Sequence, residues 1–269
     1  RPHLLGPYPR RKPFAMGSRV VVMSGGTPGR LDDTFASAAN DLGVDLTGQS
    51  LKYLEIYASL VRERASEYGL MSQKAVADID LHFLDAIALC ALFPRDNGQK
   101  LRAVDVGSGV GIPGVVAAII CPHVDMTLLD ASGRRIQFLE DVAEAIPDLT
   151  LDPVKIRAEI AGHGVFREVF DLAISRAVAP MAALAELCLP LVRVGGELLA
   201  QKTKRAKCEV EAATYAVTAC GGYFLEPAYY RLVGMDFDRM VVRVLKREAT
   251  PSLYPRRDGV PQQRPLIPS

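Results

Sequence analysis

None of the five cysteines (Cys90, Cys121, Cys188, Cys208, Cys220) stands at Cys-x-x-Cys spacing, and none of the four histidines forms a His-Glu-x-x-His pattern. An odd, scattered set of thiols excludes a disulfide framework and a zinc site, and fits a reducing compartment. Unbroken apolar runs such as Val115–Cys121 fall far short of the roughly 20 residues that a bilayer span needs, so no transmembrane helix is expected. The chain does not lack a core: hydrophobic residues are 49% and charged residues 23% of 269, which excludes a largely disordered protein. That length suits one α/β domain with an appendage.

Charge is nearly balanced at +1, but its placement is uneven. Residues 1–30 carry 6 basic and no acidic groups, and residues 239–269 carry 7 basic and 2 acidic ones, leaving a net −10 between them. An acidic body with basic ends fits an anionic polymer met at the periphery, and equally fits basic termini that only aid solubility. The stretch 1–30 also has the look of a transit peptide or an appended junction at Ala15–Ser18, with Met16 and Met23 as alternative starts. It is therefore read as a basic leader outside the fold.

Leu51, Leu54, Ala58, Val61 and Ala65 recur at steps of three and four, which predicts a helix with one apolar stripe. A second helix is expected over Ala75–Leu92, ending before Phe93-Pro94. These define a helical region over 31–95. From 96 to 250 strand and helix alternate. Strands are expected at Leu101–Val106, Asp125–Asp130, Leu149–Ile156, Phe170–Ser175, Gly196–Lys202, Tyr223–Leu232 and Met240–Lys246. Helices fall between them, including Arg134–Ala145, Met181–Val192 and Lys204–Cys220. Such alternation implies an α/β fold with a mainly parallel, Rossmann-like sheet covered on both faces. Residues 251–269, rich in proline and basic groups, read as a tail or wrapped arm.

The turn after the first buried strand is Asp105-Val-Gly107-Ser-Gly109-Val-Gly111-Ile112-Pro-Gly114. Glycines there permit positive φ and close approach of a ligand to the backbone, and the following helix start offers unpaired N–H groups. One strand later Asp130 can accept from both hydroxyls of a ribose. Glycine loop plus acid is a nucleoside-cofactor arrangement that suits NAD and S-adenosylmethionine alike. Asp-x-Gly-x-Gly-x-Gly spacing, with no glycine at 112, favours S-adenosylmethionine, whose ammonium Asp105 can receive. No metal is called for.

For the methyl acceptor, Ser175-Arg176-Ala177-Val178 lacks the Asn/Asp-Pro-Pro-aromatic set of amine methyltransferases, and no cysteine has a cytosine-C5 setting. A nucleophile that needs no deprotonation, such as guanine N7, is compatible with the absence of a general base. Proximity alone can contribute ~7–11 kcal/mol. This does not by itself select guanine.

The loop Val104–Gly114, the stretch Leu128-Leu-Asp-Ala-Ser-Gly-Arg-Arg-Ile-Gln-Phe-Leu139, His82-Phe-Leu-Asp85, Phe170–Ala177 and Tyr254-Pro-Arg-Arg-Asp-Gly-Val-Pro occur in one order. Together they resemble the bacterial small-subunit rRNA guanine-N7 methyltransferases, the glucose-inhibited division protein B family, from about Leu46 to Leu266. The resemblance implies a methyltransferase fold with an N-terminal helical extension, S-adenosylmethionine as cofactor, and methylation of one guanine N7 in a 16S rRNA loop near the decoding site. It implies that Gly107 and Ile112 line the cofactor, that Asp130, Ala131 and Ser132 hold the adenosine end, that Ala158 and Glu159 flank the adenine, and that Arg176 closes the site. Arg157, Lys202 and Arg239 stand where the family keeps basic residues near the acceptor or RNA, a catalytic set by that likeness; Tyr254, Arg256 and Arg257 read as a packed tail or as phosphate contacts, with Arg256 and Arg257 the candidates for meeting RNA. His82 and Asp85, one helical turn apart, read as a structural pair before a catalytic one.

Two departures stand out. Gly69-Leu70-Met71 replaces the family's Asn-Leu-Thr, and Gln201-Lys202-Thr203 replaces Leu-Lys-Gly. The expected partner is 16S rRNA or the small ribosomal subunit, without a membrane, for a monomer in the cytoplasm. A small-molecule methyltransferase and a non-catalytic RNA-binding protein are the alternatives.

Overall fold

The computed structural model describes residues 31–64, 68–232 and 238–268, together with the backbone of 19–21. β1 (Arg19–Val21), α1 (Asp33–Asp41), α2 (Gly48–Arg64), α3 (Gln73–Ala77) and α4 (Ile79–Cys90) precede the alternating part. That part runs β2 (Leu101–Val106), α5 (Gly114–Ile120), β3 (Val124–Asp130), α6 (Gly133–Ala145), β4 (Leu151–Lys155), α7 (Ala158–Ala161), β5 (Phe170–Arg176), α8 (Met181–Cys188) and β6 (Val192–Thr203). α9 (Lys207–Ala212), α10 (Thr214–Ala219), β7 (Gly222–Phe224), β8 (Ala228–Leu232), β9 (Arg239–Lys246) and α11 (Val260–Gln263) complete it.

Among the described residues one sheet holds every strand, in the order β1-β8-β9-β6-β5-β2-β3-β4, with β7 also on β9. β9 runs antiparallel to β6, β7 and β8, and the other pairings are parallel. The chain builds outward from β2 through β3 to β4, then returns to the other side of β2 for β5 and β6. The strand order thus reverses between β2 and β5, where an open α/β sheet leaves a crevice at its carboxyl ends.

Side-chain alternation splits the interior in two. Ala103, Leu128, Ile174, Leu199 and Val241 face α1, α2, α4, α5 and α6. Val104, Leu129, Ala173, Ala200 and Val242 face α8, α10 and the turn after α8. The helices of 31–95 therefore share one core with the sheet. Tyr57 of α2 stacks on Phe83 of α4 at 5.2 Å between centroids, an arrangement worth about 0.5–1.5 kcal/mol beyond area burial.

Several elements differ from the sequence expectation for local reasons. The helix expected over Ala75–Leu92 breaks at Asp78, which leaves helical geometry (φ −96°, ψ 30°) to end α3 and begin α4. The strand expected over Tyr223–Leu232 divides into β7 and β8 around Pro227, which has no N–H for the ladder. The helix expected over Lys204–Cys220 is a 3₁₀ turn and two short helices that meet at Ala213. Pro153 is tolerated because β4 is an edge strand. Within the leader, Arg19–Val21 join the sheet beside β8 after all, and the rest of 1–30 lies outside the described residues. The tail wraps back on the body: Arg167 donates to the carbonyls of Tyr254 (2.9 Å) and Thr250 (2.5 Å).

Candidate active site

At the carboxyl ends of β2, β3 and β5 lies a crevice of about 480 Å³, within the usual range of small-molecule sites. The loop after β2 forms its floor. Gly109 has φ +61°, which an L side chain rarely adopts, and Gly107, at φ +73°, is held so close to the next wall that a Cβ would come 2.6 Å from Val178. The loop is pinned from three directions. The amides of Gly107 and Ser108 donate to the carbonyl of Leu129, Gly109 N–H donates to Asp130 (3.0 Å), and the buried Tyr57 hydroxyl donates to the Val110 carbonyl (2.5 Å).

Asp130, 5% exposed at the end of β3, accepts from Gly109 N–H, Ser132 N–H (2.9 Å) and Arg135 (3.1 Å). A carboxylate has about four acceptor positions, so roughly one remains open. Arg135, half exposed, contributes the bond most easily exchanged for another donor. Glu159, also 5% exposed, stands in the first turn of α7 and accepts from Gly259 N–H at 2.9 Å.

Of the residues singled out in the sequence, Gly107, Gly109, Ile112, Asp130, Ala131, Arg157, Ala158, Glu159 and Arg176 line the crevice. Asp105 does not line it: its side chain belongs to the α2/α5 face, and one oxygen accepts from Gly114 N–H at 2.9 Å. The helix-start donor that the sequence offered to a ligand is thus spent on the strand. The other Asp105 oxygen is buried without a hydrogen bond, and burial pushes this carboxyl up to about 7, against the opposing pull of Gly114 and Arg176. Gly111 lies inside the packing, where a Cβ would meet Val115 at 2.4 Å, and Ser132 contributes its amide to Asp130.

The basic trio expected near the acceptor is not assembled. Arg157 stands half exposed at the crevice with Asp258 at 3.4 Å. Lys202 points to the opposite face of β6 from Gln201, where its ammonium donates to the Ala179 carbonyl (2.6 Å) and Glu209 (2.9 Å). Arg239 faces α4, 3.6 Å from Asp85. Its position there completes a buried cluster: Tyr230 donates to Asp85 (2.6 Å), Gln201 donates to the Asp85 backbone carbonyl (2.6 Å), and Arg176 reaches Asp85 (3.3 Å) and His82 Nδ1 (3.4 Å). Burial, then Arg176, lower the His82 pKa, so its neutral Nδ1 accepts from the guanidinium. His82 and Asp85 therefore fix the one cation, Arg176, that lines the crevice from β5.

Of the two roles open to Arg256, the structure shows the packed tail. It grips the fully buried Glu186 through its backbone N–H (2.7 Å), Nε (2.9 Å) and Nη2 (2.7 Å), which anchors the tail and, among the described residues, leaves only Nη1 of the guanidinium without a bond to the body. Arg257 is exposed, beside a second cavity with His163 and Arg264. Sequence reasoning missed Leu70, Met71, Arg135 and Gln262, which line the crevice from the helical region, α6 and the tail. For Leu70 and Met71 a signal existed: they occupy one of the two departures noted above. Among the described residues no cluster of three or more His, Cys, Asp or Glu is placed to hold a metal, and no helix is long and apolar enough to cross a membrane.

The profile of the family described as GidB, rRNA small subunit methyltransferase G, matches residues 50–226. The chain is 35% identical over 240 residues to the ribosomal RNA small subunit methyltransferase G of Lachnoclostridium phytofermentans, covering 88% of this chain and 98% of that protein. It is 35% identical to the protein of the same name from Staphylococcus epidermidis (86% and 96% covered) and 34% identical to that from Staphylococcus aureus (86% and 97%). Among solved structures, MtNAS in complex with MTA and tNA superposes with a TM-score of 0.52 at 14% identity, covering 81% of this chain and 78% of that one, a likeness of fold.

Proposed function

The chain belongs to the rRNA small subunit methyltransferase G family, and from that premise we propose that it methylates N7 of one guanine in a 16S rRNA loop near the decoding site. It is an S-adenosylmethionine-dependent methyltransferase of small-subunit rRNA. The finer assignment follows from the family, and its cofactor half is supported by one observation: two buried carboxylates, Asp130 and Glu159, line a crevice of about 480 Å³ beside the glycine loop where strand order reverses.

That crevice fits the cofactor. Gly107 and Gly109 leave the backbone open to a nucleoside, Asp130 has an acceptor position for a ribose hydroxyl, and displacement of Arg135 opens a second. Ile156, Ala158 and Glu159 line the adenine end, and Arg176, with Ala177 and Val178, lines the methyl end. When bound, S-adenosylmethionine supplies an electrophilic methyl group. The guanine N7 lone pair needs no base to attack it, so this chain's residues have only to align acceptor and donor and exclude water. Arg176 is suited to this because Asp85 and His82 hold its guanidinium from behind. N7 lies in the deep, narrow major groove of an RNA helix, so the target guanine must be unpaired or exposed. Arg257 and Arg264, exposed on the tail, are placed to meet RNA phosphates. We assign the activity to the cytoplasm, where ribosomal RNA is assembled into subunits.

The test is incubation of the full chain with methyl-labelled cofactor and either deproteinised 16S rRNA or small subunits, followed by chemical cleavage at N7-methylguanine. One dominant cleavage site is expected. Label that enters RNA without any such cleavage would refute N7, and no label in either substrate would redirect attention to a small-molecule acceptor or to binding without catalysis.

A further inference from the structure

We propose that Gln262, in the C-terminal tail, reads the adenine of the cofactor, its side-chain amide pairing with the base edge that carries the N6 amine. This rests on the assignment of the crevice to S-adenosylmethionine.

The tail is fastened to the body along its length, and two of its ties fall on the residues at the adenine end. Arg256 clasps buried Glu186, and His163 Nε2 lies 2.6 Å from the Pro255 carbonyl oxygen. Gly259, at φ +75°, then turns the chain so that its N–H reaches Glu159 (2.9 Å), while Asp258 faces Arg157 at 3.4 Å. α11 starts at the next residue and delivers Gln262 to the wall of the crevice formed by Ile156, Ala158 and Glu159.

The side chains at that wall that can hydrogen-bond are Glu159, one oxygen of which is taken by Gly259, and Arg157, which faces Asp258; Ile156 and Ala158 offer only apolar side chains. Gln262 is exposed, and among the described residues nothing holds its amide by a hydrogen bond. A primary amide presents an acceptor beside a donor, and the Hoogsteen edge of adenine presents its N6–H₂ donor beside the N7 acceptor. Two complementary bonds can form. Hypoxanthine presents two acceptors there, O6 and N7, so the amide, whichever way it is flipped, cannot make a donor–acceptor pair with that edge.

The experiment is calorimetric titration of the full-length wild type and Gln262→Ala with S-adenosylhomocysteine and with S-inosylhomocysteine. Thermal unfolding of both proteins is recorded to confirm that this exposed substitution leaves the fold intact. The wild type should prefer the adenosine compound. Gln262→Ala should weaken that compound about tenfold (~1.4 kcal/mol) and change the inosine compound by less than about twofold, so that the preference narrows. Equal weakening of both compounds would reduce Gln262 to a wall residue and overturn the proposal. Unchanged binding of both would overturn it as well. Failure of the wild type to bind either compound would instead remove the cofactor assignment on which it rests.

Discussion

Replacing Arg256 with alanine separates two roles that the sequence alone allows, phosphate contact and tail anchor. In the structure Glu186 has no exposed side-chain surface, and among the described residues Arg256 supplies every hydrogen bond to its carboxylate. Arg256→Ala removes the side-chain donors and leaves the charge in an apolar setting among α8 and the tail. Breaking one partner of a buried pair typically costs about 3–5 kcal/mol, a large share of the roughly 5–15 kcal/mol that holds a domain together. Urea unfolding followed by circular dichroism should show that loss. The double variant Arg256→Met with Glu186→Leu, which removes the buried charge as well, should recover most of it. RNA competition over a salt series gives the independent readout: the double variant should keep the wild-type slope of log affinity against log salt. A stability loss under about 1 kcal/mol, with a slope reduced by about 0.7–0.9, would mean that Arg256 holds phosphate and that the anchor role is wrong.

Three further outcomes are expected. Asp105, with its pKa near 7 in the fold against about 4 in the unfolded chain, contributes stability that is complete below about pH 4 and lost by about pH 7, of order 4 kcal/mol. Asp105→Asn should flatten this fall in urea unfolding between pH 4 and 8, and an unchanged fall in the variant would exclude Asp105 as its source. Lys202→Met should lower kcat by about tenfold to a hundredfold through displacement of the loop after β5, while cofactor Kd stays within about twofold; loss of cofactor binding with kcat intact would contradict a positioning role. Asp130→Ala should raise the Kd for S-adenosylhomocysteine more than about tenfold in calorimetric titration, with unchanged affinity counting against ribose recognition.

Much of the central sheet was legible because its strands are buried on both faces and its helices carry apolar stripes: Leu101–Val106 is found where the pattern puts it, and the strand ending at Asp130 starts one residue earlier. Boundaries were lost where one residue decides them locally, as at Asp78 and Pro227. The glycine loop and Asp130 stood out because they sit in one short segment and its next strand. What could not be read was how the charges are spent. Lys202, Arg239 and Arg256 are cations in a row of letters, and only the fold reveals that each faces a buried carbonyl or carboxylate at a particular depth. Alternation along β6 already placed Lys202 and Gln201 on opposite faces, but not which face held the crevice. Gln262 was invisible for a different reason: it is far along the chain from Glu159, and a glycine turn and one hydrogen bond bring the two to the same wall.

The most direct measurement is a crystal structure of the full chain grown with S-adenosylhomocysteine. Density for the nucleoside should fill the crevice, with the ribose at Asp130, the adenine between Ala158 and Gln262, and the thioether sulfur toward Arg176. Clear density for the compound elsewhere, or a crevice that stays empty at saturating concentration, would contradict it.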